Sequence, residues 1–182
     1  MEFPIKIYKQ PRLRNPYLIA GWADAGFVST NAIHYLIDKL GAQEFAEIEP
    51  PEYSLLPHSS IKRGVLQGLE YPESSFYYWK NHSSTEDLII WSSTPPAMKH
   101  YEFANLIVDV AEHFGVERIY TIGGIYANIT HTEEPKVFAV INNSKLRRYL
   151  KNYGVELGLD YHGPTSTGQG YRLARPKIFV NT

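Results

Sequence analysis

Between Gly21 and Phe27 the chain changes its period. YLIAG, from Tyr17 to Gly21, is an apolar run bounded by Asn15-Pro16 and a glycine, the pattern of a short buried strand. From Phe27 onward the apolar residues Phe27, Val28, Ala32, Ile33, Leu36, Ile37 and Leu40 recur at helical spacing, and Gly41 closes the run. EFAEIEP, Glu44–Pro50, then alternates apolar and acidic residues and reads as a second strand. Strand, helix and strand in that order make a right-handed crossover between parallel strands. This stretch commits the chain to the α/β class.

The rhythm is interrupted and then resumes. Between Pro50 and Asn81 the segments SSIKRGVLQGLEYP and SSFYYWKN suggest two strands with Gly64 or Gly68 as bend points, so a β-hairpin extension is expected around residues 59–80. DLIIWSS, Asp87–Ser93, is a compact buried strand. Pro95-Pro96 precedes a helix whose stripe runs from Tyr101 to Phe114 and stops at Gly115. ERIYTIGGIY (117–126) and KVFAVIN (136–142) read as strands, and SKLRRYLKNYG (144–154) as a helix. With no repeat or linker, the expectation is one domain over residues 1–182, with a mostly parallel sheet flanked by helices in three layers.

Bulk properties remove several function classes. Eighteen basic and nineteen acidic side chains leave a net charge of -1, so no basic excess points to nucleic acid or an anionic membrane. There is no cysteine, hence no thiolate nucleophile and no thiolate metal site. The apolar runs are far too short to span a bilayer, and MEFPIKIYKQ lacks the shape of a signal peptide, so a cytoplasmic protein is expected.

Three loops hold the residue types that build sites. GWADAG places Gly21, Trp22, Asp24 and Gly26 where a strand gives way to a helix, at the edge where open α/β sheets bind ligands. Neither the lysine and hydroxyl of a Walker loop nor the Rossmann glycine spacing is present, and Asp24 would repel phosphate while serving as a helix-start cap. This turn therefore reads as a structural corner or interface before it reads as an anion cradle. Gly123 and Gly124 end a strand and permit close backbone approach, with His131, Glu133 and Glu134 following in a solvated loop. Gly163, Pro164 and Gly168 lie in a third loop with Thr165, Ser166 and Thr167, a composition that turns also require. The seven histidines make no zinc signature, and there is no G-x-S-x-G elbow. Hence no metal, no cofactor and no catalytic set is expected, which points away from an enzyme.

Taken together, GWADAGFVSTNAIHYLIDKLGAQEFAEIEPPEY, GVERIYTIGGIYANITHTEEPKVFAVINN and YHGPTSTGQG resemble the blocks of the proteasome assembly chaperone 2 family, in the family's order, from about Tyr17 to Gly170. The resemblance implies an α/β fold related to purine nucleoside phosphorylases and peptidyl hydrolases of that shape. It also implies a non-enzymatic, chaperone-like role through protein–protein contacts, with homo-oligomers and proteasome subunits as partners. By position, Gly21, Trp22, Asp24 and Gly26 match the family's first turn, Gly123 and Gly124 its middle glycine pair, and Gly163, Pro164 and Gly168 its last loop, as fold or interface positions. Two departures stand out. The chain stops at ARPKIFVNT where relatives continue, and it lacks their hydrophobic–Tyr–any tail, so it reads as shortened at the C-terminus. The competing reading is a small-molecule protein of nucleoside- or phosphate-handling type, which requires the three glycine loops to converge around polar groups.

Overall fold

The computed structural model describes residues 5–49, 53, 58–126, 130–158 and 179–181. Strands β1 (Ile5–Ile7), β2 (Tyr17–Trp22), β3 (Gln43–Ile48), β6 (Ser74–Trp79), β7 (Leu88–Ser93), β8 (Arg118–Thr121), β9 (Val140–Ile141) and β10 (Phe179–Asn181) form one eight-stranded sheet in the order β1-β3-β6-β7-β2-β8-β10-β9. Strands β4 (His58–Lys62) and β5 (Val65–Glu70) form a separate ribbon. Helix α1 spans Val28–Leu40, α2 His100–His113, and a single turn α3 covers Arg147–Leu150.

The sheet is mixed, which corrects the expectation of a mostly parallel one. The ladders β7–β2, β2–β8 and β8–β10 are parallel, whereas β1–β3, β3–β6, β6–β7 and β9–β10 are antiparallel. The reason is connection length. β6 and β7 are joined by a short loop, and a short loop can only return a strand antiparallel to its predecessor. β3 still points the same way as β2, as a strand–helix–strand unit requires, but β7 and β6 lie between them. The hairpin expected around residues 59–80 is narrower: both its strands fall within residues 58–70, and SSFYYW joins the main sheet as β6.

Helix ends were set locally. Gly41 and Gly115 both adopt left-handed φ, +62° and +67°. After α1, Gly41 N–H donates to Asp38 O and Ala42 N–H to Ile37 O; Gly115 and Val116 repeat the pattern with Glu112 and Ala111. A β-carbon disfavours this termination, which is why glycine occupies it. Other expected elements are shorter. β8 stops at Thr121, just before the glycine pair, with the Ile122 N–H still donating to Ala20 O. The strand over 136–142 shrinks to β9 and a bridge from Phe138 to Glu156; among the described residues β9 pairs with β10 alone. The helix over 144–154 is a 3-10 turn followed by α3.

The main core lies between α2 and one face of the sheet. Phe103, Ala104, Ile107, Val110 and Ala111 of α2 pack with Leu18, Ala20, Phe45, Phe76, Ile89 and Trp91. Each large side chain fully buried here contributes roughly 1.5–3 kcal/mol over its exposed state. Trp91 keeps its polar end satisfied, its Nε1–H donating to Ser74 Oγ at 3.1 Å. Alternation along β2 turns Ile19 and Gly21 to the other face, where α1 packs with Ser29 and Ile33 fully buried.

Candidate functional site

Because β7, β2 and β8 are parallel neighbours, their carboxyl ends share one edge of the sheet. The turns after β2 and β8 therefore meet there, so two of the three glycine loops whose convergence the small-molecule reading needs, Gly21–Gly26 and Gly123–Gly124, come together. Gly21 makes close packing possible. A β-carbon built on it would lie 2.0 Å from Ser29 Oγ and 3.1 Å from Ile33 Cγ1, so α1 rests directly on the strand backbone. Trp22, the next residue, turns to the opposite face and meets Trp91 edge-on, ring centroids 5.7 Å apart.

Asp24 ties the edge together. Its Oδ1 accepts the Ser29 N–H at 3.1 Å, in the first turn of α1, and its Oδ2 accepts the Gly124 N–H from the loop after β8. Its carbonyl accepts the Phe27 N–H at 3.1 Å. A carboxylate at a helix start also opposes the positive end of the helix dipole. The capping expected of Asp24 is present, and it is shared with a strand-end loop 100 residues further along the chain. Gly124 is fitted to the clasp: a β-carbon there would stand 2.5 Å from Ala25 O and 2.9 Å from Val28 Cγ2. Gly26 and Phe27 continue the turn with φ of +68° and +56°. For phenylalanine the left-handed region costs about 1–2 kcal/mol.

The clasp answers what kind of site this is. The amides of Ser29 and Gly124, which a bound anion would seek, already donate to a fixed carboxylate. Around it the surface is apolar. Phe27 is 61% exposed, Tyr126 is 91% exposed, and Val28 and Ile125 are about half exposed. Phe27 and Val28 lead out of one loop, Ile125 and Tyr126 out of the other, and the Gly124–Val28 contact sets the pairs side by side. Exposed apolar residues gathered in one place mark contact surfaces.

The remaining predicted residues divide. Gly123 stands beside Gly124, half-buried at the same edge. His131 is exposed in a turn closed by Glu133, whose Oε1 accepts from the N–H and hydroxyl of Thr130 at 3.3 and 2.9 Å; no described contact carries His131 to the clasp. Gly163, Pro164 and Gly168 lie outside the described residues. Sequence reading missed the exposed rim, although two aromatic or aliphatic residues directly after each glycine turn were a usable signal. It also missed a contact between Ser92 Oγ and His34 Nε2 at 3.3 Å, on the α1 side of the edge. No carboxylate among the described contacts orients that imidazole, so the pair does not amount to a triad. Among the described residues no three His, Asp or Glu side chains converge as a metal site, and no helix is long and apolar enough to cross a membrane.

Comparison with known proteins places the chain in a family. The model of the PAC2 family matches residues 18–169. The fold is similar to that of PbaB of Pyrococcus furiosus, described as an archaeal proteasome activator, with TM-score 0.82 and 27% identity over 97% of this chain and 77% of that one. It is also similar to the Mycobacterium tuberculosis proteasome-assembly chaperone homologue Rv2125 (TM-score 0.75, 19% identity, 91% and 72% covered) and to P. furiosus PbaA, an archaeal homolog of proteasome-assembly chaperone (0.69, 19%, 98% and 76%). At those identities the last two show the fold alone. No curated protein matches the chain.

Proposed function

The chain belongs to the PAC2 family, and we propose that it works as a non-enzymatic, chaperone-like protein whose carboxyl-edge rim docks on proteasome subunits. The observation that carries this reading is the exposed rim of Phe27, Val28, Ile125 and Tyr126, held in place by a carboxylate whose two oxygens each accept from the protein's own backbone. The clasp fixes two loops and leaves their apolar side chains outward, an arrangement made for grip on another protein. The likeness to the proteasome activator PbaB names the class of partner. The same reading takes residues 1–182 as one three-layer domain that self-associates in the cytoplasm, related in shape to nucleoside phosphorylases and peptidyl hydrolases; shape alone supplies no reaction.

The test is a binding measurement between the purified chain and purified proteasome subunits of the same organism. The wild type is expected to retain them, and the pair Phe27→Ser with Tyr126→Ser to weaken retention by about tenfold or more. Absence of any binding by the wild type sinks the reading.

A further inference from the structure

At the amino ends of β2 and β8 an arginine is held among tyrosines. Tyr17 and Arg118 open the two strands and stand opposite each other in the ladder, and Tyr120 follows on the same face. The Arg118 guanidinium carbon lies 5.3 Å from the centre of the Tyr17 ring and 5.4 Å from that of Tyr149 in α3. The Tyr17 and Tyr120 rings are 5.9 Å apart. Tyr153 packs beside Tyr149 with ring centroids 5.0 Å apart, and its hydroxyl donates to the Tyr149 hydroxyl at 2.8 Å, which leaves the Tyr149 proton to donate elsewhere. An arginine lying over rings keeps the edge of its planar fork for a carboxylate.

Cations gather around this group. Residues 135–155 carry Lys136, Lys145, Arg147, Arg148 and Lys151 and no acid, whereas the rest of the chain has thirteen basic against nineteen acidic side chains, a net charge of -6. Lys136 is paired with Glu156 at 3.0 Å. The other four are exposed, and neither they nor Arg118 stand within ion-pair distance of a carboxylate among the described residues. Two acids are near: Glu117, exposed next to Arg118 in the chain, and Glu86, within electrostatic reach of Tyr17 and bonded to the Ser84 hydroxyl. Arg147, Arg148 and Lys151 each lie within two residues of Tyr149, on the one turn whose ring touches Arg118. Buried Leu150 anchors that turn in a cluster with Ala139 and Tyr120. Arg147 and Lys151 sit at the i, i+4 spacing where like charges repel, and nothing described in the fold neutralises them.

We propose that Arg118, Tyr149 and the cations Lys145, Arg147, Arg148 and Lys151 form a second docking surface, which takes an acidic segment of a partner protein. Arg118 pairs with one carboxylate through its fork, the Tyr149 hydroxyl donates to it, and the cations around α3 hold the acids that flank it. Charge complementarity selects this occupant over larger polyanions. A nucleic acid or an anionic bilayer extends past the patch and meets the net -6 of the remaining chain, whereas a short acidic segment meets the patch alone. The rim follows the carboxyl ends of β2 and β8, so the two surfaces lie at opposite ends of the same two strands. A partner gripped at both gains an avidity that neither surface has by itself.

Fluorescence anisotropy of labelled hexaglutamate, with hexaglutamine as the control, tests the surface on the full chain. Hexaglutamate is expected to bind saturably and to be released by added salt, and hexaglutamine to stay free. Arg147→Glu with Arg148→Glu is expected to weaken binding by at least about tenfold, and Arg118→Lys, which keeps the charge and loses the fork, by about three- to tenfold. Tyr149→Phe retains the ring over Arg118 and removes the hydroxyl, for a loss of about two- to fivefold at an unchanged melting temperature. Lys62→Glu with Lys80→Glu, two exposed lysines outside the patch, changes the net charge equally and is expected to alter binding by less than about twofold. Equal weakening by that pair, or no effect of Arg118→Lys and Tyr149→Phe, shows attraction by charge alone and overturns the proposal. So does the absence of hexaglutamate binding, or tighter capture of a single-stranded oligonucleotide or of phosphatidylserine vesicles through the same residues. Each of these failures leaves docking by the rim standing, because that is read from proteasome subunits and the Phe27 and Tyr126 substitutions.

Discussion

Two aspartates clasp loops at opposite edges of one sheet with the same chemistry and different surroundings. At the amino edge Asp87 is almost fully buried. Its Oδ1 accepts the Asn81 N–H and its Oδ2 the Arg14 N–H, both at 2.8 Å, and Arg14 Nη2 lies 3.6 Å from Oδ1. The Arg14 guanidinium also donates to the Asn81 carbonyl at 2.6 Å. At the carboxyl edge Asp24 likewise accepts two backbone N–H groups, but it is half-buried and no cation stands within ion-pair distance among the described residues. Its neighbours are the exposed rim. Burial is what separates them. The inner clasp buries its carboxylate beneath an arginine and holds the fold, whereas the outer one holds a surface in shape.

That comparison breaks if the two sites respond alike to substitution. The largest loss of stability is expected from Asp87→Ala, about 2–4 kcal/mol, since it strands two partly buried amides; urea unfolding measures it, and a smaller loss than at Asp24 would reverse the assignment. Gly124→Ala forces a β-carbon against the Ala25 carbonyl and is expected to cost about 1–3 kcal/mol, with weaker partner binding in the same protein. Asp24→Asn retains an acceptor but sets an amide against an N–H, for a loss of about 1–2 kcal/mol together with a weakened grip on partner. Tyr126→Ser sharpens the contrast from the other side: binding falls while unfolding shifts by no more than about 0.5 kcal/mol. Smallest of all is Ser29→Ala, neutral or slightly stabilising by thermal melt, because the buried Ser29 hydroxyl has no hydrogen-bond partner.

What could be read from the sequence was what local chemistry encodes. The strand at Tyr17, the helix opening after Phe27, the stops at Gly41 and Gly115 and the cap at Asp24 depend on residues a few positions apart, and each stands where expected. Gly64 as a bend point is also where the ribbon turns. The insertion of β6 and β7 between β2 and β3 was not legible, because strand direction follows connection length and adjacency follows the whole sheet. Nor was the meeting of Asp24 with Gly124, for which no spacing rule exists at that separation. The glycine pair looked permissive in the sequence; in the fold Gly124 is demanded by the Ala25 carbonyl beside it.

The central position of β2 has a consequence for how the molecule comes into being. Tyr17 lies opposite both Leu88 and Arg118, so the strand at the heart of the sheet is made before either partner and has both only once β8 has followed. At ribosomal speeds of about 5–20 residues per second, it waits roughly 5–20 s before both neighbours exist. Over that interval YLIAGW is an unsatisfied apolar strand on a growing nascent chain, while β6 and β7 can zip together across their short loop as soon as they emerge. The sheet's central strand thus passes through a window of synthesis in which its apolar residues have no partner strand.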